Sequence, residues 1–243
     1  MAIRDVVRGG WSELLDLVLP RPCPGCGGPE PWCGTCATTL TGRPRQVLPP
    51  AFGADAAPPL YALARYHGPV RGGILAGKEH GRADLPPRLG EALGAGIERL
   101  IRIGAVAVPL WLVPAPTRPS AARRRGGDPV ARMVRSAAAG LARRGIPCGV
   151  APCLHTGRGT VDSVGLDASQ RRTNLVGKII FTPTAGPPRS QSVILLDDVI
   201  TTGATCLESV TVLAAQGHPV SAVLALASAT AFVTDRVPAP PPP

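Results

Sequence analysis

Aromatic side chains are scarce: phenylalanine, tryptophan and tyrosine together make up 3% of the chain. Binding single-stranded nucleic acid by base stacking needs a row of aromatic platforms, so this composition argues against that mode. Lysine is scarcer still. Lys78 and Lys178 are the only two among 26 basic residues, and the formal charge of +10 is almost all arginine. Arginine's planar fork grips phosphate in bidentate fashion, which suits a phosphorylated small molecule or a nucleic-acid backbone. A chain this rich in Ala, Gly, Pro and Arg also fits a biased genome, so charge alone decides little. Long apolar runs are missing, and no span is sufficient to cross a bilayer. Asp5, Glu13 and Asp16 interrupt residues 1–20, where a secretory signal would need an apolar stretch. Those residues instead place Ile3, Val7, Trp11, Leu14, Leu15 and Val18 on one helical face, a short amphipathic helix of the kind that packs on its own protein. With no export signal the expected location is cytoplasmic, a reducing compartment in which close-set cysteines bind metal rather than each other.

What is present begins with those cysteines. Cys23-Pro-Gly-Cys26 and Cys33-Gly-Thr-Cys36 are two C-x-x-C knuckles separated by a short Gly/Pro turn. Four thiolates close a tetrahedral Zn²⁺ shell and leave no position for a substrate, so the site is expected to be structural. An iron–sulfur cluster would use the same ligands. Paired short disulfides or a redox dithiol fit less well, given the doubled pattern and the absence of a thioredoxin-like context. Cys148, Cys153 and Cys206 are scattered, and buried thiols are the default for them. At 243 residues the chain accommodates one substantial α/β core with a small appendage.

Residues 193–206, Val-Ile-Leu-Leu-Asp-Asp-Val-Ile-Thr-Thr-Gly-Ala-Thr-Cys, are the most informative stretch. Four apolar residues form a buried strand that empties into an acid pair and a hydroxyl-rich turn. Ala204, Leu207, Val210, Thr211, Leu213 and Ala214 then recur at helical spacing until Gly217. The turn 201–205 therefore sits at a helix N-terminus, where free N–H groups and the helix dipole attract an anion and Gly203 allows close backbone approach. Asp197 and Asp198 are adjacent, so in a strand they face opposite ways, and in one dry site they would repel. They call for a polyol or a metal. A 5-phosphorylated ribose satisfies the whole stretch, its phosphate on Thr201, Thr202, Gly203, Ala204 and Thr205 and its hydroxyls on the acids, with Mg²⁺ as a bridge. The string resembles the phosphoribosyl-diphosphate (PRPP) binding motif of type I phosphoribosyltransferases.

The remainder falls into place around it. Residues 44–59 are rich in Pro and Ala and read as a linker. A strand is expected over 60–66 and a helix over 68–78. Residues 72–79 approach a Walker A string, but Glu79 stands where the Mg²⁺-binding Ser or Thr belongs, and Ile74 and Leu75 suit a packed helix, so an ATPase is rejected. A helix is expected over 86–103, a strand over 110–114 and a helix over 129–144. Between the last two lies Arg123-Arg124-Arg125-Gly126-Gly127-Asp128, beyond a strand end where α/β sheets collect ligands. It suits the diphosphate of PRPP and equally a solvated basic turn. A weaker strand is expected over 149–154, and a polar segment over 155–174 suits either an active-site lid or a plain surface loop. A strand over 178–182, a loop over 183–192 and a last strand over 218–227 complete the pattern. Residues 237–243 form a Pro-rich tail.

Taken together the chain resembles the ComF/GntX family over residues 15–227. The resemblance rests on Cys23-x-x-Cys26 with Cys33-x-x-Cys36, Tyr66-x-Gly68 with Lys78, Val113-Pro-Ala-Pro116, Arg125-Gly126, Arg171-x-x-Asn174 and the PRPP motif. It implies an α/β fold with a type I phosphoribosyltransferase-like parallel sheet flanked by helices (residues 60–236), a small N-terminal four-cysteine zinc module with its amphipathic helix (1–43), the linker (44–59) and a disordered tail (237–243). It implies that Asp197 and Asp198 bind ribose, that 201–205 bind the 5-phosphate, and that Arg125, Gly126, Arg171 and Asn174 complete the PRPP site. Transfer to a nucleobase-like acceptor would follow, with Mg²⁺ and Arg124 or Arg125 stabilising the leaving diphosphate. The rival expectation is a non-catalytic accessory factor for competence that binds PRPP, a DNA-uptake protein or single-stranded DNA. The chain departs from the family pattern at Gly127 and Asp128 after the Arg-Gly, and at Ser163 before the Arg-x-x-Asn.

Overall fold

The computed structural model describes residues 21–53, 58–117, 127–157 and 178–233. The helix expected within 1–20, residues Arg123, Arg124, Arg125, Gly126, Ser163, Arg171 and Asn174, and the tail at 237–243 lie outside the described residues.

A short helix α1 (Gly34–Thr38) opens the second cysteine knuckle, followed by β1 (Arg45–Val47), β2 (Leu60–Arg65), α2 (Gly68–Lys78), α3 (Leu85–Arg102), β3 (Leu110–Pro114), α4 (Pro129–Arg143) and β4 (Cys148–Val150). Then come β5 (Leu154–Thr156), β6 (Ile179–Phe181), a 3₁₀ turn at Pro183–Ala185, β7 (Ser192–Ile200), α5 (Ala204–Ala215) and β8 (Val220–Ser228). Six strands form one sheet in the order β1-β2-β8-β7-β3-β4, and β5 and β6 pair separately as an antiparallel ribbon. Every pairing in the large sheet is parallel except that of β1 with β2.

Periodicity explains most of these elements. Leu89, Leu93, Ile97 and Leu100 of α3, and Val130, Met133, Val134, Ala137 and Leu141 of α4, are the buried positions the 3.6-residue repeat marks out. Three features differ from expectation. Within the Pro-rich 44–59 segment, Arg45–Val47 pair with β2, with Val47 opposite Leu60 and 1% exposed. The strand expected over 149–154 is divided: Cys148–Val150 join the large sheet and Leu154–Thr156 leave for the ribbon. Pro152, which has no N–H for a ladder, falls at the division. Finally, β7 does not stop before the acid pair but continues through it to Ile200.

Two apolar clusters cover the two faces of the sheet. Leu63, Ile194, Leu196, Leu224 and Leu226 pack against α2, α3 and α4. Val193, Leu195, Val223 and Ala225 pack with Cys206 and Leu213 of α5, with Val47 and Phe52, and with Leu154 and Ile179 of the ribbon. The arrangement follows from connection handedness. From β3 the chain steps outward to β4 through α4, whereas from β7 it steps the opposite way to β8 through α5, and right-handed crossovers then put the two helices on opposite faces. The reversal lies between β3 and β7, and that is where such sheets open a crevice beyond their carboxyl ends.

Candidate functional site

The crevice is visible in the pairing of β7. On one side β3 accompanies it only as far as Pro114 opposite Leu196, with a last hydrogen bond from the Ala115 N–H to the Leu196 carbonyl at 2.8 Å. On the other side β8 continues, with Asp197 opposite Ala225 and Ile200 opposite Ser228. The backbone from Asp197 to Ile200 therefore lines a wall that β3 has left. The two carboxylates take up N–H groups there: Asp197 Oδ1 accepts from Asp198 N and Asp198 Oδ1 accepts from Val199 N, each at 2.8 Å.

The doublet is split between the layers, as adjacent strand residues must be. Asp197 faces α5, where the Cys206 thiol donates to its Oδ2 at 3.9 Å. Burial, and then the charge of Asp198, push the Asp197 carboxyl up to about 8, with Lys78 pulling the other way. The Cys206 thiol is raised well above its ordinary range, by burial first and the two acids next. Asp198 faces the other layer and is 4% exposed. Its Oδ2 lies 2.6 Å from Lys78 Nζ. The ligand-free doublet thus sets an Asp197 whose burial favours the protonated form beside an ion-paired Asp198, which avoids two bare charges side by side.

Beyond Ile200 the bend leads straight into α5. Thr201 is exposed, and Thr202 and Thr205 are half-buried. Gly203 caps the helix with φ 80° and supplies no side chain to its N–H groups. Residues of most kinds are strained at that φ, and a Cβ there would stand 2.6 Å from Pro49 Cγ, so two constraints require glycine. Thr202 Oγ1 accepts a long bond from Ala204 N at 3.4 Å, while the Thr202 carbonyl accepts the Ala51 N–H at 2.9 Å. Pro49, Ala51 and Phe52 therefore back the bend on one side. Uncapped N–H groups at the start of a twelve-residue helix are donors for an anion.

Across the crevice, Pro114 and Ala115 are buried and Thr117 donates through Oγ1 to Asp128 Oδ1 at 3.0 Å. The same oxygen accepts the Ala131 N–H at 3.1 Å and caps α4. Asp128 is thus a helix cap that also ties the two ends of the arginine-rich segment together. The arginines Arg124 and Arg125, with Gly126, Arg171 and Asn174, lie outside the described residues.

The four knuckle cysteines converge. Their sulfur atoms all lie within 4.8 Å of one another, and Cys26 Sγ and Cys33 Sγ are 3.6 Å apart. Four thiolates at the ~2.3 Å Zn–S distance of a tetrahedron stand ~3.8 Å apart, so the cluster is close enough to bind a metal such as zinc. Cys23 and Cys36 are buried and Cys26 is exposed. Burial works against a charged Cys23, but the N–H groups of Cys33, Gly25 and Cys26 outweigh it and draw its thiol down to about 6. Cys33 Sγ accepts the Cys36 N–H at 3.4 Å and so caps α1.

The knuckle is packed against α2. A Cβ at Gly72 would collide with the Pro24 carbonyl, and one at Gly73 would lie 2.8 Å from the Trp32 ring. Arg82, 7% exposed, donates to the carbonyls of Pro22 at 3.1 Å and Pro31 at 2.9 Å while pairing with Asp84 at 2.8 Å. Its guanidinium holds the Asp84 carboxyl below its ordinary value, although burial opposes the shift. The sequence assigns no role to either cation. Arg82 carries no local signal beyond the nearby Asp84, and Lys78 was marked only by its rarity and by the Tyr66-x-Gly68 string before it. Among the described residues no helix is long and apolar enough to cross a membrane. A scan against protein-family models and a search of curated proteins returned no match to this chain.

Proposed function

We propose that the chain is a ComF-like protein of the phosphoribosyltransferase family that binds PRPP and transfers its phosphoribosyl group to a nitrogen nucleophile such as a nucleobase. One observation carries this reading: an acid doublet on the open edge of β7 leads, within five residues, to the uncapped N-terminus of α5 at the reversal point of a parallel sheet. A sugar bearing hydroxyls at one end and a phosphate at the other matches that spacing. The protonated Asp197 donates to one ribose hydroxyl and the Asp198 carboxylate accepts from its neighbour. The 5-phosphate takes the N–H groups of the bend and the hydroxyls of Thr201, Thr202 and Thr205. Positive charge growing at C1 in the transition state is then met by the Asp198 carboxylate, which needs to move no proton at the reacting carbon. Mg²⁺, when bound, would neutralise the departing diphosphate, and Asp197 and Asp198 are the oxygen donors available for it among the described residues. Zn²⁺ at Cys23, Cys26, Cys33 and Cys36 is structural, since four protein ligands leave it no open position.

Isotope-labelled PRPP incubated with Mg²⁺ and a panel of nucleobases tests transfer. Labelled nucleotide from at least one base is the expected result. Folded, metal-loaded protein that gives none with any base contradicts the transfer step, and leaves binding to be tested on its own.

A further inference from the structure

Lys78 occupies a position that the sugar-phosphate reading does not account for. It is the last residue of α2, which starts where β2 ends and finishes against Asp198 on β7. With β8 between those strands, α2 runs from the carboxyl end of β2 past β8 to β7. Its 11 residues span about 16 Å at ~1.5 Å each, enough to cover two strand spacings of ~4.8 Å. The helix cannot shift far, because the cysteine knuckle is packed on its outer side at Gly72 and Gly73. Only the side chain of Lys78 is left to move. It is one-third exposed while Asp198 is nearly sealed, so the pair straddles the boundary between crevice and core. Asp198 Oδ2 accepts no further hydrogen bond among the described residues.

The chemistry of this cation fits a moving contact. In a chain whose other basic residues are arginine apart from Lys178, a compact ammonium on a flexible stem stands where a guanidinium would lock its partner in a planar fork. Placement indicates what it would meet. The bend and α5 pack on one face of the sheet and α2 on the other, with the doublet between them. A sugar whose 5-phosphate sits on the bend therefore presents its opposite end to Lys78. Resting on the PRPP reading of the site, we propose that Lys78 is a diphosphate-binding residue held on Asp198 in the ligand-free protein. On binding, its ammonium passes from the carboxylate to a diphosphate oxygen, and a ribose hydroxyl takes its place on Asp198. The exchange keeps both partners hydrogen-bonded: the carboxylate trades an ammonium for a hydroxyl donor, and the diphosphate gains the cation.

Calorimetric titration of the full metal-loaded chain in Mg²⁺ with PRPP, inorganic diphosphate and ribose 5-phosphate tests the assignment. Replacing Lys78→Met is expected to weaken PRPP and diphosphate about tenfold or more, the loss of one charge-assisted hydrogen bond, while ribose 5-phosphate holds or tightens. Lys78→Arg should restore part of the loss. Equal weakening of all three ligands, or unchanged diphosphate affinity, overturns the proposal and leaves the sugar-phosphate site standing. Failure of the unmodified protein to bind any of the three removes both. A second measurement does not depend on the variants folding. With only two lysines, ¹³C-lysine labelling gives two ε-methylene signals, and diphosphate should shift that of Lys78 while Lys178 stays in place. A Lys78 signal that does not move under saturating diphosphate also overturns it.

Discussion

Asp197 and Asp198 share a backbone but not an environment. Alternation along β7 turns one toward the α5 layer and the other toward α2, and only the second finds a cation. The carboxyl of Asp197, enclosed and beside another acid, therefore keeps its proton to a pH of about 8. An unfolded aspartic acid titrates near ~3.9, so the folded state holds this proton more tightly than the unfolded one. The resulting stability is complete below that lower value and is lost as pH rises through the folded value. Asp197→Asn keeps the acceptor for Asp198 N and cannot ionise, so the melting temperature of the variant should gain on that of the parent between pH 5 and pH 9. A gap that stays constant across that range contradicts the protonated Asp197. The adjacency of the acids was legible in the sequence, and so was their need to face apart. Their different charge states were not, because Lys78 is 120 positions away along the chain and reaches Asp198 only through the fold.

At the level of elements, α2 joins two regions that the sequence presents as separate. Spacing alone identified the cysteine knuckles, and periodicity alone identified the helix that follows β2. Neither discloses that Trp32 rests on Gly73, or that Arg82 fastens the carbonyls of Pro22 and Pro31 to the start of α3. Such contacts are nonlocal, and the glycines that permit them look like any others in a chain with 29. Arg82→Met keeps most of the packed volume but leaves two carbonyls and Asp84 without their donor, and should cost about 2–4 kcal/mol of stability. Denaturant unfolding checks this; a change below about 0.5 kcal/mol would mean that the knuckle is held by apolar contact alone. The same coupling predicts that stripping metal with a chelator lowers the melting temperature of the whole chain, not of a separate N-terminal transition, since Cys23, Trp32 and Cys36 belong to the cluster that covers α3 and α4. Two resolved transitions would show an independent knuckle. The continuation of β7 through the doublet was also hidden, because acids are poor strand formers and only the pairing with β8 carries them to Ile200.

For the molecule as a whole, the class of fold was readable from the alternation of strands and helices, and the sheet is parallel apart from its first strand. Strand order was not readable, yet it is strand order that makes the site. The winding of the sheet reverses between β3 and β7, the longer strand outruns the shorter, and the stretch of β7 left unpaired by β3 holds both acids at the edge of the opening. The bend that follows presents the start of α5 to the same opening, with Pro49 and Phe52 closing its back. An acidic wall and an anion-binding helix end then lie a few residues apart, which suits a ligand with hydroxyls next to a phosphate. The most direct test is a calorimetric titration of Mg²⁺–PRPP into the metal-loaded chain and into Asp197→Asn/Asp198→Asn, with thermal melts run on both. Saturable binding at one site by the parent, reduced at least ~100-fold in a double variant that still melts cooperatively, is the predicted result, since two hydrogen-bonding acids are lost together. No binding by the folded parent, or equal affinity in the double variant, would contradict the placement of a sugar phosphate at this doublet.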